Sequence, residues 1–257
     1  MLHRAIATTA EPLSWQDYVV PQQWQDFTAD DHDVWDLLFA RQVELLGTRV
    51  VSPFLDGIDL LRLSHPGVPD LDELNAILMP RTGWRTVAVT GLVPDEVFFA
   101  MLAARVFPVG NFIRLREELD YLEEPDCFHD LFGHIPMLAH HDFAEMVEQV
   151  GRLGQAAIAA GYGEKVARIY WHSVEFGLAL EDGALKILGA GLASSFGEAH
   201  FSLESGNVDR WPFSVELAIS TTYKHDAFQP RYLVSKSLDR TIAEILALTP
   251  EGLLAIR

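Results

Sequence analysis

The sequence predicts a mostly α fold of the α+β kind with a few short strands, and three observations carry that prediction. Apolar residues recur three and four apart through most of the periodic segments, whereas strict alternation is confined to short runs. A chain of 257 residues that is 49% hydrophobic holds enough apolar material for one large core. No break in composition, fixed-period repeat or low-complexity tract divides it.

Residues 1–30 are polar, carry Pro12 and Pro21 with scattered tryptophans, and are expected to form an N-terminal arm laid over a single domain at 31–257. The stretch DHDVWDLLFARQVELL at 31–46, followed by Gly47, predicts an amphipathic helix with a C-terminal stop. A second such helix fits 70–78. TGWRTVAVTGLVP alternates around Val87 and Val89 and ends in Gly91 and Pro94, the pattern of a short strand and a turn. Asp95 and Glu96, acids suited to a helix N-terminus, open an apolar helix expected to run to about Phe107. Helices are further predicted over 143–153, 164–180, 214–222 and 236–248. LKILGAGL at 185–192 reads as a short strand and a glycine-rich turn. The last helix carries no sustained heptad, so no coiled-coil tail is expected.

The net charge of −18 argues against nucleic acid as a partner, because lysine and arginine supply affinity for phosphate. Cys127 is the single cysteine and cannot form an intramolecular disulfide, which fits a reducing compartment. No apolar run has the length of a signal core or a membrane span, so a cytoplasmic protein acting on small molecules is expected.

The most informative stretch is EEPDCFHDLFGHIPMLAHH, where His129 and His134 stand five apart among apolar residues and acids. On a regular helix such positions lie about 140° apart, so the two rings converge only if the helix ends or bends between them. Gly133 and Pro136 are expected to supply that break. Taken alone, the pair also fits satisfied histidines without a metal. Glu175 is the only acid in the apolar run from Ile169 to Leu180, and a buried carboxylate needs a partner, either a metal or a core salt bridge.

Two imidazoles and one carboxylate match the facial triad of oxygen-activating Fe(II) sites, which leaves coordination positions open. HDLFGH lacks the spacing of the HExxH zinc-protease helix, and no pair of Glu-x-x-His elements is present for a di-iron bundle. Trp171, one helical turn before Glu175, and His172, three residues before it, are expected beside the metal. An aromatic wall there suits an aromatic substrate, and a core tryptophan has the same spacing.

PDCFHDLFGHIP, IYWHSVEFG, GAGLASSFGE and FQPRYLVS, in this order and separation, resemble the pterin-dependent aromatic amino acid hydroxylases over about residues 18–248. The resemblance implies a single compact catalytic domain at 31–257, with Fe(II), tetrahydrobiopterin or a related tetrahydropterin, and O2 as co-reactants. It implies His129, His134 and Glu175 as the iron ligands and Arg114 as the clamp on the substrate carboxylate, supported by Ser194. A surface pair with Glu118 is the other reading of Arg114. Phe98 matches the residue that stacks on the pterin, and Leu92 and Val93 match positions whose backbone edges its ring. Asp130 falls at a position near the pterin, and Tyr170, Glu198, His172 and His225 at positions around the iron and the substrate.

The length resembles that of the compact bacterial members, which lack the regulatory domain and tetramerisation helix of the animal ones, so a monomer is expected. With Trp171 disfavouring tryptophan and His225 standing where tyrosine enzymes place an aspartate, the expected reaction is L-phenylalanine to L-tyrosine. The alternatives are hydroxylation at the meta carbon or of another aromatic amino acid, and, from a different class, a non-catalytic amino acid or metal-binding protein. Three positions depart from the family pattern: His172 replaces a phenylalanine or tyrosine, His225 an aliphatic residue, and Pro108 the histidine of the animal enzymes.

Overall fold

The structure, a computed structural model, describes residues 14–120, 124–224 and 227–256. It is mostly helical with short strands, as the periodicity predicts. The helix Ala29–Leu46 starts where Thr28 and Asp31 cap one another, each side chain accepting the other's backbone N–H. The helix Leu71–Thr82 begins on the Asp70 carboxylate and stops at Gly83, whose φ of 76° ends it in the left-handed region.

Two small sheets flank the helices. In the first, β1 (Val19–Val20) pairs antiparallel with β2 (Arg85–Val89), and β2 pairs parallel with β3 (Val106–Gly110). In the second, β4 (Leu178–Glu181) and β5 (Ala184–Ile187) form a hairpin. Parallel pairing adds β7 (Arg231–Ser235) to β4, and β6 (Asp209–Pro212) to β7. Asp182 and Gly183 turn the hairpin with φ of 51° and 79°, the positive pair that Asp-Gly turns adopt.

Several expected elements are corrected. The helix expected over 95–107 ends at Ala103, Arg105 takes a φ of 55°, and the chain continues as β3. All five β3 residues are buried, and a short apolar run buried on both faces has no period by which to tell strand from helix. Pro108 is accommodated because β3 is an edge strand. The helix expected over 164–180 divides into an α-helix Gly163–Tyr170, a π-helical turn Trp171–Glu175 and β4. The glycine-rich turn after β5 is instead a short helix, Ala190–Ser194. Residues 14–27, read as part of a surface arm, contribute β1 to the first sheet, while residues 1–13 lie outside the described residues.

The long helix His141–Ala159 packs against Asp95–Ala103, Gly163–Tyr170 and Leu238–Leu246. Beside it, Phe128 stacks on Phe132 at 4.9 Å, and Phe132 meets Phe39 and Phe54 edge-on at 5.6 Å each. This aromatic nest anchors one side of the segment that carries both histidines. Among the described residues, no helix is long and apolar enough to cross a membrane.

Candidate active site

His129 and His134 are the two ends of a second π-helical turn, His129–His134. Its wider winding, with hydrogen bonds reaching five residues rather than four, brings positions five apart over one another. The expected helix break is thus replaced by a continuous, widened turn. Gly133 serves close packing instead, since a Cβ there would come within 2.8 Å of the Ala190 carbonyl oxygen. Leu131 and Phe132 are fully buried in the core, and the two imidazole rings meet Glu175.

Three donor atoms converge. His134 Nε2 lies 3.1 Å from Glu175 Oε2, His129 Nε2 lies 3.5 Å from Glu175 Oε1, and the two Nε2 atoms are 3.2 Å apart. Ligands at right angles around an ion at about 2.1 Å stand about 3 Å apart, so this donor set fits one face of a coordination sphere. Burial pushes the His129 pKa down to about 4, which keeps its ring neutral and a lone pair available at neutral pH. Burial opposes ionisation of Glu175, yet the two facing imidazoles hold its pKa below the usual value. A second group of potential ligands, His141, Asp142 and Glu145, is largely solvent-exposed and lacks this enclosure.

Each ligand is held from behind. The Ser194 hydroxyl donates to the Ala190 carbonyl at 2.9 Å and therefore accepts from His129 Nδ1, also at 2.9 Å. That bond places the proton on Nδ1 and leaves Nε2 to face Glu175. Asp126, three residues before His129, accepts its backbone N–H at 3.0 Å. Behind His134, Phe107 lies at 4.7 Å and Tyr170 at 6.2 Å. Gly191 lets the helix Ala190–Ser194 approach Glu175, because a Cβ there would stand 2.4 Å from Oε1.

Arg114 is buried and held by Asp126 through Nε at 2.8 Å and Nη2 at 2.9 Å, so the pair with Glu118 does not form. Glu118 accepts the Leu115 N–H instead. Among the described residues nothing hydrogen-bonds Arg114 Nη1. Ser194, expected at the substrate-carboxylate end, hydrogen-bonds His129. Trp171 stacks on Tyr223 at 4.2 Å and tilts against Phe176 at 5.1 Å, while His172 turns to the Thr221 carbonyl.

Phe98 packs edge-on against Tyr170 at 5.3 Å, one ring removed from His134. Asp130 accepts the Gly110 N–H at 2.7 Å, and burial raises its pKa well above the carboxylate range. Leu92 is exposed and Val93 half-buried in the turn after β2. Glu198 accepts from Gln229 N at 2.8 Å and from the Tyr232 hydroxyl at 2.6 Å, without bonding a ligand. His225 lies outside the described residues. Asp126, Phe107, Gly191, Gln229 and Tyr232 are the participants that reading the sequence missed. The spacing of Asp126 to His129, that of an N-cap acid, was a signal for it, whereas Gln229 and Tyr232 carry no signal beyond their place in FQPRYLVS.

The chain matches the family model described as biopterin-dependent aromatic amino acid hydroxylase over residues 14–249, and it belongs to that family. It is 44% identical to the phenylalanine-4-hydroxylase of Caulobacter vibrioides over 229 residues, 89% of this chain and 78% of that one. It is also similar to two crystal structures of the phenylalanine hydroxylase of Chromobacterium violaceum. One, with bound iron(III) and the oxidized cofactor 7,8-dihydrobiopterin, gives a TM-score of 0.85 at 42% identity over 90% of this chain and 84% of that one. The other, with iron and phenylalanine bound, gives 0.86 at 40% identity over 92% and 86%.

Proposed function

We propose that this protein is an iron- and tetrahydropterin-dependent monooxygenase that converts L-phenylalanine to L-tyrosine. The observation that carries the reading is the buried convergence of His129, His134 and Glu175, two imidazole nitrogens and a carboxylate in facial spacing. The similar structures with iron, phenylalanine and a biopterin support it. When bound, the iron would activate O2 and the reduced pterin would supply two electrons, the ring C–H bond that is hydroxylated supplying the other two, so that one oxygen atom would enter the ring and the other would leave at the oxidation level of water.

The chain's own residues bind and orient. His129, His134 and Glu175 would hold the iron. Arg114, with two of its nitrogens fixed by Asp126, keeps Nη1 for the substrate carboxylate. Trp171 and Tyr223 form an aromatic wall for the substrate ring. Phe98 offers its face to the pterin, Leu92 and Val93 its edge, and Asp130 a hydrogen-bonding carboxyl. We take the protein to be a monomer and to act in the cytoplasm, the compartment being supported by a lone, buried free cysteine. Light scattering after size-exclusion chromatography tests the monomer.

The deciding experiment is anaerobic loading with Fe(II), then O2, reduced pterin and phenylalanine, with products resolved against para- and meta-tyrosine. Para-tyrosine formed only with both iron and pterin is the expected result. Meta-tyrosine would reassign the ring position, and phenylalanine binding without any hydroxylated product would overturn the enzymatic reading.

A further inference from the structure

His172 has a partner outside the metal cluster. It is buried, and its Nε2 lies 3.1 Å from the carbonyl oxygen of Thr221. A carbonyl only accepts, so Nε2 carries the proton. Burial pushes the pKa of this ring down, which keeps it neutral. Thr221 is the residue that ends the helix Val215–Ser220, where carbonyls lose their partners within the helix and, when buried, need another.

Two residues further on, the ring of Tyr223 stacks on Trp171 at 4.2 Å with the planes 20° apart. Trp171 and His172 are consecutive in the π turn and reach the same loop, one through a ring and the other through the backbone. The far end of the loop is tied separately. The Gln229 side chain accepts the Lys224 N–H at 3.0 Å and donates to the Lys224 carbonyl at 2.8 Å, while the Gln229 N–H goes to Glu198. A phenylalanine at 172 would fill much the same space and leave the Thr221 carbonyl without its donor.

We infer that His172 is a positioning residue whose Nε2–H latches the Thr221 carbonyl and thereby sets the Tyr223–Trp171 stack that forms the wall of the substrate pocket. The latch stands on geometry alone, and its consequence for substrate rests on the proposed hydroxylation.

The test is amide hydrogen exchange on the full-length protein, comparing H172F, which keeps a ring and loses the donor, with H172Q, which loses the ring and keeps a donor. In H172F the Thr221 amide is expected to exchange about tenfold faster, with the separately tied Lys224 amide and the helix His141–Ala159 unchanged, while H172Q stays within about twofold of the parent. In turnover, H172F is expected to raise KM for phenylalanine about fivefold with kcat lowered less than about twofold, and H172Q to restore KM. Unchanged exchange in H172F overturns the latch. So does equal loosening in H172Q, because that outcome assigns the effect to ring volume. Should H172F yield no folded protein, H172L, with neither ring nor donor, gives the same comparison against H172Q. If the parent protein hydroxylates no phenylalanine, the proposed function fails while the exchange comparison still decides the latch.

Discussion

Asp126 grips Arg114 with both carboxylate oxygens, Oδ2 on Nε at 2.8 Å and Oδ1 on Nη2 at 2.9 Å, and the same oxygens accept the backbone N–H groups of Arg114 and His129. One buried carboxylate therefore aligns the substrate clamp with the first histidine of the metal cluster. Burial opposes its ionisation, but the Arg114 guanidinium holds its pKa below the usual value.

Asp126→Ala leaves a buried guanidinium without its counter-charge, and removing one partner of such a pair costs about 3–5 kcal/mol. The expected outcome is an unfolding free energy lowered by that amount, read from denaturant titration, together with weaker iron binding through the loosened His129. A variant as stable as the parent would show that solvent reaches Arg114 and replaces Asp126.

Ser194→Ala removes the acceptor that fixes the proton on His129 Nδ1. Loss of such an outer partner lowers metal affinity about 10- to 100-fold, which competition with a chelator measures. Unaltered affinity would mean that packing alone orients the ring.

Gly191→Ala places a methyl group where the nearest heavy atom, Glu175 Oε1, stands 2.4 Å away. The ligand must shift, so the purified variant is expected to fold and to hold far less iron, approaching Glu175→Ala. Metal analysis beside circular dichroism separates loss of the site from loss of the fold, and full iron content in Gly191→Ala would contradict the close approach.

Glu198 is buried without a cationic partner among the described residues, and burial pushes its pKa from 4.5 up to about 7. With the folded value above the unfolded one, the folded state binds more protons between these limits. Its contribution is present below about pH 4.5 and is lost as pH rises through about 7. Unfolding free energies of the metal-free protein should therefore fall over this window relative to Glu198→Gln, by an amount on the order of 3 kcal/mol. Parallel pH profiles for the two proteins would place the Glu198 pKa elsewhere.

What could be read without coordinates was local. The helices expected over 31–46 and 70–78 and the candidate ligands themselves follow from residue types a few positions apart. The strand β3 could not be separated from the helix before it, because a run buried on both faces loses the alternation that marks a strand. The Asp182–Gly183 hairpin did carry a local signal, a positive-φ dipeptide between apolar runs, that the periodicity reading passed over.

The sequence by itself determined which atoms are available as ligands: two imidazoles five apart and one acid isolated in an apolar helix. Only the tertiary structure decided that both segments widen into π turns, that Arg114 faces Asp126, and that His172 turns to Thr221. The physical reason is range. Periodicity and capping act within a turn or two of chain, whereas Ser194 meets His129 across 65 positions and Thr221 meets His172 across 49, contacts that exist only once the core has packed.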